Sequence, residues 1–162
     1  MQSRAARVSL FAGLFVMVVL FDQLTKWAAR AFLSSGASVT LVPGVIDLHL
    51  VFNKGAAFSL GEGWTWLFVS VAVVLCAGCA WAVAIKGLSK ATTCLLGIAA
   101  GGGVGNLIDR VTQGCVTDFF MPTFVSFPVF NVADICITCS FVALFILYWS
   151  HDARCREVET HE

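Results

Sequence analysis

The sequence predicts an all-α polytopic membrane protein: a single domain over residues 1–162, with four transmembrane helices and a small extracytoplasmic β-hairpin. Three observations predict it. The chain is 59% apolar and 12% charged, where a soluble domain has about 45–50% and about 25%, and its mean hydropathy is +0.88. Four stretches, about residues 8–31, 64–85, 91–108 and 129–149, approach the ~20 helical residues that cross a hydrocarbon core. Pro43, Pro122 and Pro128 all fall outside those stretches, as helix breakers should. A soluble globular protein and a disordered chain are both excluded. Ten basic and ten acidic residues cancel without a long run of like charge, so no nucleic-acid partner is expected.

The first span, from about Val8 to Ala31, exceeds the apolar core of ~7–15 residues in a cleavable signal peptide, and no small-x-small pattern follows it. Its polar residues Asp22, Thr25 and Lys26 lie in its C-terminal half, toward a membrane surface. Val39 to Phe52 is β-branched and partly alternating around Pro43-Gly44, which predicts the hairpin. The second span runs from Trp64 to Ile85. The third runs from Ala91 to Ile108, with Gly97, Gly101 and Gly105 at four-residue spacing, the pattern that lets membrane helices approach closely. Residues 111–128 read as loop, punctuated by Gly114, Pro122 and Pro128. The fourth span runs from Val129 to Trp149. Trp64, Trp66 and Trp149 stand where interface anchors belong.

Four spans put both termini on one side. Six of the ten basic residues (Arg4, Arg7, Lys86, Lys90, Arg154, Arg156) fall on that side, and the positive-inside rule makes it cytoplasmic. Residues 33–63 and 111–128 then lie outside. With this topology, Asp22 and Lys26, Asn106, Asp109 and Arg110, and Asn131 and Asp134 all reach the outer surface. Asn53 and Asp118 join them from the outer loops. Helix ends wetted by lipid head groups would explain one such set. Three sets at one depth point to a polar site, because ionisable residues within spans are costly and mark function.

Among the carboxylates, Asp22 has Lys26 one turn away and Asp109 adjoins Arg110, which suits structural ion pairs. Asp118 has no cation within four residues, and Asp134 has none between Arg110 and Arg154. Two such carboxylates in a low-dielectric site would share a proton, one serving as base and the other as acid. The competing reading makes Asp118 a loop residue and Asp134 a polar helix anchor. Only His49 of the three histidines is expected outside, since His151 and His161 lie in the tail. A Ser-His triad or histidine zinc site therefore lacks parts. Cys76-x-x-Cys79 and Cys136-x-x-Cys139 fall inside spans, where cysteine acts as a small hydrophobe. Cys115 alone is expected in an outer loop, which argues against an extracytoplasmic disulfide. No metal and no cofactor are expected.

These motifs resemble those of bacterial lipoprotein signal peptidase, signal peptidase II. Asp22-Gln-Leu-Thr-Lys26 resembles its first block and Asn53-Lys-Gly-Ala-Ala-Phe-Ser59 its second. Gly105-Asn-Leu-Ile-Asp-Arg110 with Val116-Thr-Asp-Phe119 resembles the third, and Phe130-Asn-Val-Ala-Asp134 the fourth. Each block is weak alone, and four in order are specific. Cys115 and Thr117 depart from it, standing where an aromatic and an aliphatic residue are expected. The resemblance implies an aspartic endopeptidase of the bacterial inner membrane that cleaves prolipoproteins on the N-terminal side of a diacylglyceryl-modified Cys. It implies a β-cradle beside four spans, a catalytic pair at Asp118 and Asp134, and support from Asp22, Lys26, Asn53, Asn106, Asp109, Arg110 and Asn131. Expected partners are such prolipoproteins, membrane lipids and globomycin-type inhibitors, and the chain is expected to be a monomer. A small proton- or ion-coupled carrier, relaying through Asp22, Asp109 and Asp134, is the alternative, and a non-enzymatic membrane assembly factor is a third reading. The lack of an internal repeat weighs against a small inverted-repeat carrier.

Overall fold

A computed structural model of the chain describes residues 3–33, 36–55 and 63–159, the side chains of 151–159 excepted. Residues 56–59 of the second block and His161 lie outside the described residues, as do the side chains of His151, Arg154 and Arg156. The elements run α1 (Arg4–Phe32), β1 (Ser38–Val42), β2 (Ile46–Asn53), α2 (Thr65–Ile85), α3 (Lys90–Gln113), β3 (Val116–Pro122) and α4 (Val132–Glu159). All four helices are long and apolar enough to cross a membrane.

Helix α1 starts earlier than expected, because the Ser3 hydroxyl accepts the Ala6 N–H at 3.2 Å and caps it. Its buried residues, Arg7, Phe11, Val18, Asp22, Lys26 and Ala29, recur at three, four or seven positions and form one stripe. The opposite face leaves Met17, Leu20, Phe21, Leu24 and Trp27 more than half exposed, as a lipid-facing surface should be. Helix α3 is the central post, packed against α1, α2 and α4. Its small residues set the spacing. A Cβ at Gly97 would meet the Phe11 carbonyl at 3.0 Å, and one at Gly101 the Phe15 carbonyl at 2.8 Å; at Gly105 it would strike the Asp22 carboxylate. Gly102 faces the other way, with the Ala133 carbonyl of α4 at 2.7 Å. Helix α3 continues past Ile108 and ends at Gly114, whose φ of 72° closes a left-handed cap with its N–H on the Arg110 carbonyl.

The expected hairpin is present: β1 and β2 pair antiparallel, and Gly44 at φ 73° makes the turn. Residues 111–128 are not all loop. Val116–Pro122 is β3, paired antiparallel with β2, so the sheet has three strands in the order β1-β2-β3. Residues 116–119 are buried on both faces, and a strand buried on both faces shows no alternation to read. Phe130 bridges Phe120, so α4 begins at Val132, three residues later than expected. Ala29, Leu50, Phe119 and Val132 form the apolar cluster that docks the sheet on the helix ends.

Candidate active site

The site is assembled where the ends of α1, α3 and α4 meet β2 and β3. At the start of α4 the Asn131 Oδ1 accepts the Asp134 N–H at 3.0 Å, and the Asp134 Oδ2 accepts the Asn131 N–H at 3.1 Å. This reciprocal pair is a capping box. Asn131, expected inside a span that starts at Val129, is instead the cap of α4. The same Asn131 amide donates to Asp118 Oδ1 at 2.7 Å and to Asn106 Oδ1 at 3.1 Å. One buried residue therefore holds both Asp118 and Asp134.

Each carboxylate has a second amide partner. Asn106 Nδ2 donates to Asp134 Oδ1 at 2.8 Å, and Asn53 Nδ2 donates to Asp118 Oδ2 at 3.1 Å. Asn53 is oriented by its own backbone: its Oδ1 accepts the Gly55 N–H at 2.9 Å in an Asx turn. Neither Asp118 nor Asp134 takes part in the ion pairs found among the described residues, which fall on Asp22 and Asp109. Asp118 is 3% exposed. Burial, and then the Asp134 charge, raise its carboxyl from 3.8 to about 6. The amides of Asn53 and Asn131 and the Lys26 ammonium pull in the opposite direction.

Behind this pair lies a charged layer that does not face the cavity. Asp22, Lys26 and Asp109 are fully buried. The Lys26 ammonium lies 2.9 Å from Asp22 Oδ2 and 3.5 Å from Asp109 Oδ2, and donates to Asn106 Oδ1 at 2.7 Å. The expected Asp22–Lys26 pair is present. Asp109 and Arg110 do not pair, because successive helical residues point in different directions. Asp109 lies instead 3.8 Å from Arg30 and accepts the Thr117 N–H at 2.9 Å. Arg110 bonds the Gly55 carbonyl at 3.1 Å and lies over the Phe68 ring, 5.2 Å from its centroid. Gln23, Arg30 and Thr117, which stood outside the expected set of site residues, belong here. Gln23 bonds the Gly105 carbonyl at 3.0 Å and Asp109 at 3.2 Å, and Arg30 bonds the Thr117 hydroxyl at 2.8 Å. Arg30 follows Lys26 by four residues, so helical spacing was a signal for it.

A cavity of about 510 Å³ opens on the pair. Asn53, Asn106, Arg110, Asp118 and Asp134 make its polar wall, and residues from Phe127 to Phe130 with Ile135, Thr138 and Cys139 its largely apolar one. Asp22, Lys26, Asp109 and Asn131 support from behind. Two carboxylates held by amides, one of them poised near neutrality, can exchange a proton with a molecule in that space.

Comparison with known proteins identifies the family. A family model described as signal peptidase (SPase) II matches residues 14–150. A lipoprotein signal peptidase of Symbiobacterium thermophilum is 36% identical over 136 residues, covering 82% of this chain and 90% of that one. One from Bifidobacterium longum subsp. infantis is 38% identical over 147 residues, covering 87% and 79%. A solved structure described as a bacterial membrane enzyme superposes with a TM-score of 0.83 at 25% identity, covering 87% of this chain and 88% of that one. A second so described gives 0.77 at 26% identity, covering 83% and 89%. By these matches and by its four motif blocks, the chain belongs to the signal peptidase II family.

Proposed function

We propose that this protein is a membrane aspartic endopeptidase that releases signal peptides from prolipoproteins, cleaving on the N-terminal side of the diacylglyceryl-modified Cys, with Asp118 and Asp134 as its catalytic pair. The observation that carries the pair is the shared Asn131, which bonds Asp118 with its amide and Asp134 with its backbone N–H while both carboxylates line one cavity. An ionised carboxylate takes a proton from a water between the two, and the resulting hydroxide attacks the scissile carbonyl. The other carboxyl, protonated, donates a hydrogen bond to that carbonyl oxygen as negative charge develops there. Collapse of the tetrahedral intermediate returns a proton to the leaving amine. The proton belongs to the pair, so neither residue is singled out as base. The mechanism needs neither a covalent intermediate nor a metal. Arg110, Asn53 and Asn106 on the polar wall hold the peptide, and the apolar wall suits the lipid-modified Cys.

The protein is a multi-span membrane protein, and we assign it to the bacterial inner membrane, its cavity at the outer face and its termini in the cytoplasm. The basic residues at the start of α1 (Arg4, Arg7), at the junction of α2 and α3 (Lys86, Lys90) and in the last turns of α4 (Arg154, Arg156) support that orientation. Membrane lipids and globomycin-type cyclic peptides are the further ligands of this reading, and a monomer is its working form. The carrier alternative has no support: the relatives are peptidases by name, and the polar side chains gather where the helices meet the sheet. Purified protein in phospholipid, given a diacylglyceryl-modified prolipoprotein, should release its signal peptide. Absence of cleavage by folded protein would overturn the assignment.

A further inference from the structure

We propose that Arg30 and Thr117 form a positioning pair for Asp118, the bond between them fixing the strand from which that carboxylate enters the cavity. The inference rests on Asp118 being one of the catalytic pair. Thr117 is fully buried, and its hydroxyl and its N–H both bond to the helices and not to the cavity. Its Oγ1 accepts from Arg30 Nη1 of α1 at 2.8 Å, and its N–H donates to Asp109 Oδ2 of α3 at 2.9 Å. The ring closes between α1 and α3, where Arg30 Nη1 lies 3.8 Å from Asp109 Oδ1. Successive strand residues point to opposite faces, so Thr117 anchors the strand on the helices while its neighbour Asp118 faces Asn53 and Asn131.

The sheet holds that point from one side only, where Asn53–Val116, Phe52–Thr117 and Val51–Asp118 pair in regular register. Val51 pairs with Asp118 and Leu48 with Phe120, so three steps along β2 oppose two along β3. The ladder is irregular from Asp118 onward. Beyond it, the Phe119 and Phe120 N–H groups bond the Phe130 carbonyl at 3.0 and 2.8 Å. On the near side of Asp118 the ladder sets the register, and the Thr117 anchor adds the tie that holds the strand on α1 and α3. A valine would fill the same volume without requiring a polar partner, so what the hydroxyl adds is the bond to Arg30. Displacing a reacting group by ~1 Å costs on the order of a hundredfold in rate, which makes this anchor visible in turnover.

The test compares Thr117→Val, Thr117→Ser, Arg30→Met and the Val/Met double variant as full chains in phospholipid, cleaving a diacylglyceryl-modified prolipoprotein. Thr117→Val and Arg30→Met should each lower kcat roughly tenfold with KM within about twofold, a loss confined to the chemical step. Thr117→Ser, which keeps the hydroxyl, should recover to within about twofold of the wild type. The double variant should be no slower than the slower single one, as coupled partners require. A wild-type kcat in Thr117→Val, a serine variant as slow as the valine one, or losses that multiply in the double variant would each overturn the pair. So would a loss expressed wholly in KM. Should the valine variant not fold, Arg30→Met carries the test, since the Arg30 side chain is 26% exposed and its removal leaves Thr117 in place; a wild-type kcat there overturns the proposal. Asp118→Asn runs beside them. Turnover in that variant would overturn the role of Asp118 itself, whereas failure of the positioning pair alone leaves it inactive.

Discussion

Asp22 Oδ1 accepts the backbone N–H of Ala133, 111 residues further along the chain, at 2.9 Å. A residue near the end of α1 thereby caps the start of α4, the turn that carries Asp134. Its other oxygen lies 2.9 Å from the Lys26 ammonium. With its neighbour Gly105 admitting no Cβ, Asp22 fixes the mutual approach of α1, α3 and α4.

Asp22→Ala should therefore reduce stability far more than chemistry. It strands a buried ammonium beside Asp109 and leaves a helix N–H without an acceptor, and removing one partner of a buried pair costs about 3–5 kcal/mol. Thermal unfolding in detergent and purification yield should both fall. Normal stability with abolished turnover would instead move Asp22 into the catalytic set.

The glycines of α3 allow a controlled comparison. A Cβ at Gly101 would lie 2.8 Å from the Phe15 carbonyl and 2.9 Å from the Val18 Cβ, whereas one at Gly78 of α2 meets nothing within 4 Å. Alanine in a helix interior is favoured over glycine by up to about 1 kcal/mol, so Gly78→Ala should be neutral or stabilising. Gly101→Ala should destabilise by about 1–3 kcal/mol, the range for overpacking a tight contact. Equal unfolding midpoints for the two variants would contradict the α1–α3 contact.

These predictions draw on features with unequal traces in the sequence. The four spans, the Gly44 turn and the Gly97, Gly101 and Gly105 stripe were all readable, because each depends on local composition or spacing. Strand β3 was not: its first four residues are buried on both faces, and its pairing depends on a partner some seventy residues earlier. The residues of the site were readable as a set, since rare polar groups in an apolar chain stand out. Their division into a cavity wall and a buried layer was not, because Asp22, Lys26 and Asp109 differ from Asp118 and Asp134 only in what packs on them. Thr117 looked like a minor departure, and only the folded contact with Arg30 gives its hydroxyl a partner.

The catalytic pair should behave as one unit. Asp118→Asn and Asp134→Asn preserve size and part of the amide network, so each protein should fold and bind substrate. Neither variant can share a proton across the pair, and each should lose on the order of a thousandfold or more in kcat, in the range seen when one member of a catalytic unit is removed. The double variant should be scarcely slower than either single one. Substantial turnover in one of them, with contaminating wild-type enzyme excluded, would remove that residue from the mechanism.

The raised Asp118 carboxyl makes two linked predictions about pH. Burial and the Asp134 charge hold it at about 6 rather than 3.8. Below about pH 6 Asp118 takes up the one proton that the mechanism places on the pair; above about pH 6 that proton is lost and no carboxyl remains to donate to the scissile carbonyl. The rate at low substrate should then fall about tenfold per pH unit on the alkaline side, with its midpoint near 6. The same shift acts on folding with a definite direction. The folded chain binds this proton more tightly than the unfolded one, so the favourable contribution is fully present below pH 3.8 and is lost as pH rises through about 6. Asp118→Asn removes that titration. Between pH 5 and 7.5 its stability should therefore rise relative to the wild type by about 1 kcal/mol, the free energy of roughly one proton-binding decade. Measuring unfolding of both proteins across this interval isolates the Asp118 charge together with what couples to it. A stability difference that stays constant with pH would mean that Asp118 titrates in the folded protein as it does in the unfolded chain, and the alkaline limb of activity would then belong to another group.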